Sequence, residues 1–452
     1  MEDTMQKLIS LAKRRGFIFP GSEIYGGLAN SFDYGPMGVE LKNNIKQEWW
    51  KRFVQKRSDI VGIDAALIMN PKVWESSGHL SNFSDPLVEC KKCHERFRVE
   101  GEMSSNRLPK EIIEHQEAKH LGKVVDYTSK KDFNLMLKTF LGPAEEESNT
   151  VYFRPETAQA MFVDFKNVLD TSRQSLPFGI AQVGKAFRNE ITPGNFIFRT
   201  REFEQMEIEY FVKEADWEKY FKHWLDEMKK WLKDLGISSK KLHYVDIKDG
   251  ERAHYSKRTV DIEYDYPFGQ KELYGLAYRG DFDLKNHFPK DAPYRDPDTG
   301  EAFWPHVIEP TWGVDRSVLA VMLEAYHEEK APTTEEGESA TRIVMKFPVW
   351  LSPVKVAVLP LVKNKPKVVK KAKEVFDMLT PYFSCQYDET ASIGKRYRRQ
   401  DEIGTPYCIT IDFDSLDKND VTIRNRDTMD QKRVSLDSLV VTIKERLDDK
   451  DN

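Results

Sequence analysis

The feature that most constrains the fold is residues 180–212, where two alternating segments flank a turn. The segments are IAQVGKAFRNE and FRTREFEQMEIEYFV, and TPGN at 192–195 between them favours a tight turn. Alternation of this kind is typical of strands whose two faces meet different surroundings. Met206, Ile208 and Tyr210 should face a core. We therefore predict a β-hairpin.

One face of the predicted hairpin carries groups that suit a nucleotide and an amine. In the first strand this face holds Gly184, Ala186, Arg188 and Glu190, and its two small residues leave room for a ligand. In the second strand it holds Arg199, Arg201, Phe203, Gln205, Glu207 and Glu209. Arginines suit a triphosphate, a phenyl ring suits a nucleobase, and carboxylates suit an ammonium group. A sheet with one solvated face would show the same pattern.

Two further segments place charges among apolar residues. In VYFRPETAQAMF, Arg154 and Glu156 are candidates for a site, although a structural ion pair would also explain them. In HVIEPTWGVDRSVLAVMLEAY, Arg316 falls in the first turn of a predicted helix, where the helix dipole favours anions. A bound phosphate would explain a cation there. Pairing of Arg316 with Glu309 is the alternative.

The segment QKELYGLAYRGDFDL offers carboxylates for a metal-bound nucleotide. Glu272, Asp281 and Asp283 have the hard oxygen donors that Mg²⁺ prefers, although surface carboxylates are common. The sequence contains neither the P-loop GxxxxGK[ST] nor GxGxxG. Any ATP would therefore be held by another arrangement.

The cysteines predict a reducing compartment, because four in 452 residues are too few for a disulfide framework. Cys90 and Cys93, followed by His94, form half of a zinc knuckle, but Cys385 and Cys408 lie far along the chain. A lone CxxC is a weak signal, so we expect no bound metal. The N-terminus lacks the apolar core of a signal peptide, and no apolar run reaches the ~20 residues of a membrane span. A cytoplasmic protein with no membrane contact is expected.

The length predicts two or three domains. An apolar stripe at every fourth residue from Leu41 to Phe53 predicts a helix over 39–57. Residues 86–150, rich in Lys, Glu and His, suggest an insertion. A βαβ-like pattern follows residue 350, with strands VKVAVLP, FSCQY and YCITI and helices over 368–379 and 393–403. The net charge of −5 does not indicate a nucleic-acid binder, but this last part is slightly basic and permits an RNA contact.

In this order, the motifs closely resemble those of glycyl-tRNA synthetases, which are class II aminoacyl-tRNA synthetases. YGGLANSFDYGPMGVELKNNIKQEWW is similar to the opening and motif 1 of that family, and WESSGHLSNFSDPLVECKKC to the segment after it. FRNE with FRTREFEQMEIEYF resembles motif 2, and EPTWGVDR resembles motif 3. With YFRPETAQ, the likeness covers nearly the whole chain, and the class I signatures HIGH and KMSKS are absent.

The resemblance implies an α+β catalytic domain over residues 1–345, built on an antiparallel sheet flanked by helices. It places an inserted subdomain at 86–150 and an anticodon-binding α/β domain at 350–452. It also implies a homodimer that binds glycine, tRNA(Gly) and ATP with Mg²⁺. The reaction implied is formation of glycyl-adenylate and transfer of glycine to the 3′ end of tRNA(Gly).

The resemblance further implies roles for individual residues. The catalytic set is Arg188, Glu156 and Arg316, with Arg188 bridging the glycine carboxylate and the α-phosphate. The substrate-binding set is Arg98, Glu156, Phe203, Glu204, Gln205, Met206, Glu207, Glu309, Pro310, Thr311, Trp312 and Gly313. The ATP-binding set is Arg188, Asn189, Glu190, Phe198, Arg199, Thr200, Arg201, Glu202, Phe203, Glu272, Leu273, Gly313, Val314, Asp315 and Arg316. Phe203 should stack on adenine, with Arg316 over its other face or at a terminal phosphate.

Selection of glycine should come from refusal of any larger side chain. The residues that depart from the usual family pattern are Ala160, Tyr278, Gly280 and Thr311. They bear on the geometry of the pocket and not on the reaction class.

Three alternatives stay open. A catalytically silent class II homologue would be expected to lack Arg188 and Arg316, yet both are present. A class II synthetase for another amino acid, such as threonine or proline, is disfavoured by Glu156 and Glu207. An adenylate-forming enzyme that does not use tRNA is disfavoured by a basic helix, unless that helix is only a solvated face. Its basic residues are Lys395, Arg396, Arg398 and Arg399.

Overall fold

The computed structural model describes residues 2–99, 108–190, 194–332 and 339–448. Thr192 and Pro193 of the predicted turn, and residues 100–107 of the predicted insertion, lie outside the described residues. In the part of the chain that is described, no helix has the length and apolar character needed to cross a lipid bilayer.

Helices and strands alternate irregularly through the first 345 residues. The helices are α1 (Glu2–Arg14), α2 (Pro36–Trp50), α3 (Pro71–Ser76), α4 (His79–Asn82), α5 (Lys110–His120), α6 (Ala158–Val163), α7 (Phe165–Ser172), α8 (Trp217–Asp234), α9 (Phe282–His287) and α10 (Val314–Ala325). The strands are β1 (Ile18–Pro20), β2 (Phe32–Tyr34), β3 (Ile60–Gly62), β4 (Ser84–Glu89), β5 (Arg96–Arg98), β6 (Lys131–Asn134), β7 (Lys138–Phe140), β8 (Thr150–Tyr152), β9 (Phe178–Phe187), β10 (Glu202–Val212), β11 (Leu242–Asp246), β12 (Arg258–Tyr266), β13 (Gly269–Gly280), β14 (Tyr294–Arg295), β15 (Ala302–Phe303), β16 (His306–Gly313), β17 (Tyr326–Pro332) and β18 (Ser339–Met345).

A seven-stranded sheet forms the centre of this region among the described residues, in the order β11-β12-β13-β16-β10-β9-β3. Neighbouring strands run antiparallel, except for β3 and β9. The β9–β10 ladder runs from the pair Phe178 and Phe211 to the pair Phe187 and Glu202, which confirms the predicted hairpin. Arg188 lies just beyond the ladder, with its amide bonded to the Arg201 carbonyl at 2.9 Å.

The two faces of this sheet have different surroundings. On one face, Met206, Ile208 and Tyr210 lie in the main core with residues of α2, α8 and α10, as predicted. Helix α2 begins at Pro36 and continues as a π-helical turn over Lys51–Gln55, which confirms the helix predicted over 39–57 and extends its start. On the other face, α6 covers one end of β9 and β10. The middle of that face carries a cleft.

The C-terminal region has a hydrophobic cluster of its own, running from Val349 to Ile443. Its strands are β19 (Val356–Pro360), β20 (Cys385–Tyr387), β21 (Tyr407–Ile411), β22 (Asp420–Asn425) and β23 (Gln431–Ser435), in the order β20-β19-β21-β22-β23. Its helices are α11 (Pro366–Leu379), α12 (Ile393–Ile403), α13 (Asp414–Lys418) and α14 (Leu436–Asp448). The predicted βαβ elements are confirmed. The separate core supports the division into 1–345 and 350–452, which remains a proposal.

The basic helix of the C-terminal region is less available to RNA than its sequence suggests. Arg396 is buried, and its guanidinium donates to the Ala391 and Pro360 carbonyls. Arg399 pairs with Asp388. These two arginines therefore make contacts within the domain. Of the basic residues of α12, Lys395 and Arg398 are left as candidates for contact with RNA.

Candidate active site

A cleft of about 120 Å³, open to solvent, lies on the polar face of the central sheet. Cross-strand register brings three strands together there, because Gln205 lies opposite Gly313 and Thr311 opposite Gly275. Most residues predicted to bind ATP or substrate line it: Arg188, Glu190, Phe198, Arg199, Thr200, Phe203, Glu204, Gln205, Glu272, Leu273, Thr311, Gly313, Asp315 and Arg316.

Arg188 and Phe203 form one wall of the cleft. The Arg188 guanidinium lies 5.2 Å from the centre of the Phe203 ring and 5.2 Å from that of Phe83. Its Nε donates to the Pro155 carbonyl at 3.1 Å. The aromatic rings and this single bond fix the direction of the side chain and leave other guanidinium N–H groups for an anion. The arrangement can therefore hold a carboxylate or phosphate beside a flat ring.

Arg316 also lines the cleft and pairs with Glu272. Its Nη1 lies 3.2 Å from Glu272 Oε2 and donates to the Glu272 carbonyl at 3.0 Å. The guanidinium also lies 4.4 Å from the centre of the Phe198 ring. The alternative pairing with Glu309 is wrong, because Glu309 bonds a different arginine. A cation at a helix start, facing a cleft beside an aromatic ring, is consistent with the predicted phosphate or adenine contact.

Buried carboxylates converge behind the cleft lining, next to Thr311. Carboxylate oxygens of Glu207, Glu209 and Glu309 lie within 4.8 Å of one another, and all three residues are buried. Thr157 donates to Glu207 Oε2, and Thr311 donates to Glu207 Oε1 at 2.7 Å. Both oxygens of Glu209 lack a hydrogen-bond partner among the described residues. Such a cluster has room for a bound cation.

Arg279, which the sequence analysis did not select, is the cation nearest these carboxylates. It is fully buried and donates to both oxygens of Asp283 at 2.7 and 2.8 Å. Its Nη1 donates to Glu309 Oε2 at 2.9 Å, and Tyr255 covers its face at 3.6 Å. Arg279 lies near the end of β13 and Asp283 in the first turn of α9, so the turn from the strand into the helix brings the two side chains together.

The pKa shifts show how negative this pocket is. Burial raises the pKa of Glu207, and the nearby Glu156 raises it further. Burial also holds the pKa of Glu309 and Glu209 well above the usual range, although Arg279 opposes the shift in both. A bound ammonium group would favour the ionised forms and lower these pKa values.

Glu156, which lies near this cluster, has a pKa shifted in the opposite direction. Burial opposes its ionisation, but His79, Arg279 and a bond from Gln159 outweigh burial and hold its pKa well below the usual range. His79 Nε2 lies 3.3 Å from Glu156, and His79 Nδ1 lies 2.8 Å from Ser77 Oγ. The segment WESSGHLSNFSDPLVECKKC contains His79, but no pattern in it predicts a role for this residue. Only the fold brings it to Glu156.

The room predicted beside Gly184 is filled by protein. A Cβ at Gly184 would collide with the Arg154 guanidinium, which donates to the Lys185 carbonyl at 2.7 Å and the Ala65 carbonyl at 3.0 Å. The glycine at position 184 therefore makes space for the Arg154 side chain. It does not make space for a ligand. The open position is Gly275, where a Cβ would meet nothing within 4 Å.

Several predicted site residues lie elsewhere. Strand alternation turns Met206 and Trp312 into the main core, and Val314 is buried there as well. Arg98 pairs with Asp85 at 3.3 Å in the insertion. Arg201 and Glu202 line a neighbouring groove. Glu204 reaches the cleft edge but pairs with lysines of α2: Lys42 and Lys46.

Of the carboxylates considered for magnesium, Glu272 alone faces the cleft. Asp283 is engaged by Arg279, and Asp281 pairs with Lys285 at 2.6 Å. Asp261 was missed by the sequence analysis. It lies opposite Gly275, and burial, together with Glu272, raises its pKa to about 7. Asp261 thus lies close to Glu272, which lines the cleft.

Comparison with known proteins agrees with this geometry. A glycine–tRNA ligase of Alkaliphilus oremlandii is 51% identical over 466 residues, with 99% of each chain covered. That of Clostridium acetobutylicum is 51% identical with the same coverage, and that of Geobacillus thermodenitrificans is 51% identical with 97% of each chain covered. The family described as "Anticodon binding domain" matches residues 355–446.

Among solved structures, a prolyl-tRNA synthetase from Cryptosporidium parvum, complexed with L-proline and AMP, is similar in fold. Its TM-score is 0.65 at 13% identity, with 98% of this chain and 78% of that chain covered. This likeness and the anticodon-binding match confirm the predicted fold class. The full-length relatives at about half identity then settle the family. The chain belongs to the glycine–tRNA ligase family of class II aminoacyl-tRNA synthetases.

Proposed function

We propose that this protein activates glycine with ATP to glycyl-adenylate and transfers glycine to the 3′ end of tRNA(Gly). The observation that carries the proposal is the position of the carboxylate cluster. Glu207 accepts a hydrogen bond from Thr311, which lines the cleft together with Arg188 and Arg316, and Glu209 and Glu309 lie beside Glu207. An amino acid has a cation and an anion a few ångströms apart, and ATP adds anions beyond, so the two charge zones match both substrates in one orientation.

The carboxylate cluster would hold the glycine ammonium. Thr157 and Thr311 fix the Glu207 carboxylate from both sides, so its position does not depend on the substrate. Arg279 ties Glu309 to Asp283. Preorganised acceptors of this kind lose little entropy on binding.

Arg188 would meet the glycine carboxylate and the α-phosphate. The carboxylate oxygen attacks the α-phosphorus, the bond to the bridging oxygen breaks, and pyrophosphate leaves. Negative charge shifts onto the phosphoryl oxygens during this step, and a fixed guanidinium stabilises it electrostatically. In the second step a ribose hydroxyl of the tRNA end attacks the glycyl carbonyl, and AMP leaves.

Glycine would be selected by rigid walls. Thr311 is directly opposite Glu207 in the β10–β16 ladder. Branching at its Cβ restricts rotation about χ1. We assign Thr311, with Thr157, the role of excluding a substrate methyl group. Preference based on lost contacts alone is worth only ~1–3 kcal/mol per methylene, so exclusion requires walls that cannot relax.

The residues present also fit a magnesium ion carried in with ATP. Glu272 lines the cleft and Asp261 lies close to it, and burial together with the charge of Glu272 raises the pKa of Asp261. These two would hold the ion, which would supply positive charge against the phosphates.

The remaining parts of the proposal concern partners. The C-terminal domain would bind the anticodon arm, and Lys395 on α12 is an exposed cation suited to it. The chain would form a homodimer beside α2, where Ile24, Tyr25 and Leu28 are exposed apolar side chains. We propose a cytoplasmic location, since tRNA charging occurs where ATP and tRNA are present and the described cysteines are unpaired.

The test is ATP–pyrophosphate exchange with each of the twenty amino acids in turn, followed by charging of total tRNA. We expect exchange with glycine alone and glycine loaded on a subset of tRNA. No exchange with any amino acid would leave the silent homologue as the better account. Faster exchange with another amino acid would overturn the assignment of glycine. Exchange without charging would favour the tRNA-independent alternative.

A further inference from the structure

The insertion brings two cysteines and two histidines to one point outside the cleft. Ligand atoms of Cys90, Cys93, His115 and His120 all lie within 4.8 Å of one another. Cys90 Sγ is 3.4 Å from His120 Nε2, and Cys93 Sγ is 3.3 Å from His115 Nε2. For zinc bonds of about 2.3 Å to sulfur and 2.1 Å to nitrogen, a tetrahedron separates sulfur from nitrogen by about 3.6 Å. The observed separations are close to that value.

The backbone around the cluster has the form of a metal-binding knuckle. Cys90 follows β4, the chain turns through Cys93 and His94, and β5 runs back beside β4. His94 takes the left-handed conformation at φ 59°, and its amide donates to the Cys90 carbonyl at 2.8 Å. Helix α5 supplies His115 and ends at His120, so the histidines follow the H-x₃₋₅-H spacing of zinc sites.

From this geometry we propose that Cys90, Cys93, His115 and His120 bind one structural Zn²⁺ ion. The sequence predicts no bound metal, because no second CxxC lies near Cys90. The second pair of ligands is histidine instead, supplied by a helix that begins beyond residue 108, and only the fold brings it back to the knuckle.

The surroundings of the four residues support a structural role for the ion. Cys90, His115 and His120 are buried, and the His115 Nδ1 lies 2.9 Å from the Tyr127 hydroxyl. That contact would fix the tautomer in which Nε2 is free to bind metal. Glu95 Oε2 lies 3.4 Å from His115 Nε2 on an exposed side chain, and metal binding would replace this contact.

The insertion also has little else to hold it together. Its buried cluster consists of Val88, Phe97, Val99 and Ile112 among the described residues. So small a core is below what a stable subdomain normally requires, and a metal is one of the usual means of stabilising such a module. The ion would join the knuckle to the end of α5, and would leave no coordination position for a substrate.

His94 is a further histidine next to Cys93, but it is not one of the four residues whose ligand atoms converge. It follows Cys93 directly, yet its ring bonds Glu89 at 3.1 Å and its side chain is 76% exposed. His94→Asn is therefore a matched control for the histidines, since asparagine tolerates the left-handed conformation. Cys385→Ser, in the C-terminal domain, is the control for the cysteines.

The experiment measures metal content by mass spectrometry on the full-length protein purified without chelators. We expect about one zinc per chain, retained in His94→Asn and Cys385→Ser and lost in His115→Ala and Cys93→Ser. Cys93 is exposed, so the Ser variant should fold even if the His115 variant does not. Tyr127→Phe should weaken zinc binding ~10–100-fold.

Replacement of the metal by Co²⁺ supplies a second measurement. We expect the intense visible absorption of a tetrahedral site with sulfur ligands, absent from Cys93→Ser. Protein that neither contains zinc nor takes up added Zn²⁺ would overturn the proposal, as would a Cys90–Cys93 disulfide in protein kept under reducing conditions. Equal zinc content in the wild type, His115→Ala and Cys93→Ser would overturn it too.

Discussion

Replacing Glu207 by glutamine should weaken glycine binding and stabilise the protein at the same time. The change removes one charge from a buried cluster while keeping the size of the side chain. Burial and Glu156 raise the pKa of Glu207, so ionised Glu207 lowers the free energy of unfolding. The neutral glutamine of the variant does not have this destabilising effect. The same charge is what we propose attracts the substrate ammonium.

The magnitude follows from the contacts. A hydrogen bond to a charged partner contributes about 1.5–3 kcal/mol, and 1.4 kcal/mol is a factor of ten. We therefore expect the KM for glycine to rise about 10- to 150-fold, with the KM for ATP nearly unchanged, because we assign Glu207 to the glycine ammonium and not to ATP. Thr157 and Thr311 can each reorient a hydroxyl to suit the amide, so the fold should survive.

The assay is glycine-dependent ATP–pyrophosphate exchange, read together with a thermal unfolding curve. Glu214→Gln is the control, since that carboxylate is 76% exposed just beyond β10 and should change neither quantity. An unchanged KM for glycine would refute the role given to Glu207. A rise in KM with a lower melting temperature would refute the claim that the cluster is strained by its own charge.

Three further predictions follow from the same geometry. Arg188→Ala should abolish exchange with little change in the unfolding curve, because the described residues hold its guanidinium by one hydrogen bond, to the Pro155 carbonyl, and by contacts with two aromatic rings; near-normal exchange would contradict its role. Thr311→Ser keeps the hydroxyl that bonds Glu207 and removes a methyl, so alanine-dependent exchange should rise relative to glycine by about tenfold, measured as the ratio of kcat/KM; no rise would remove Thr311 from the wall. The pKa of Asp261 is about 7 in the folded protein, above its ordinary value near 4. The stability contributed by protonated Asp261 is therefore fully present below about pH 4, and it is lost as the pH rises through about 7. The gain in melting temperature from Asp261→Asn should therefore be larger at pH 8 than at pH 5, and a pH-independent gain would show that Asp261 does not titrate there.

Local pattern predicted the elements well where periodicity and turn chemistry agreed. The hairpin, the core face of Met206, Ile208 and Tyr210, and helix α12 over Ile393–Ile403 are all as predicted. Each depends on contacts between residues near in sequence, or on strand alternation, which the sequence displays directly. The same alternation explains why Met206 and Trp312, assigned by family motif, lie in the core and not in the cleft.

Pairings between distant residues were predicted poorly. Arg316 with Glu272, Arg279 with Glu309, and Arg154 in the space beside Gly184 each join segments that are 30 or more residues apart. A charged residue in a sequence has many possible partners, and the choice among them depends on which strands are neighbours and in which register. Burial then decides which pKa values move, and burial is not visible in the local pattern.

By itself, then, the sequence determined the class of fold, the family, and the two strands that carry the arginines and carboxylates. Only the tertiary structure decided which of those groups meet. Strand order brought β13 and β16 beside β10, enclosed three carboxylates around Arg279, and carried His115 and His120 back to Cys90 and Cys93. The physical reason is that secondary structure follows from neighbours along the chain, whereas a binding site is made by the packing of elements far apart in it.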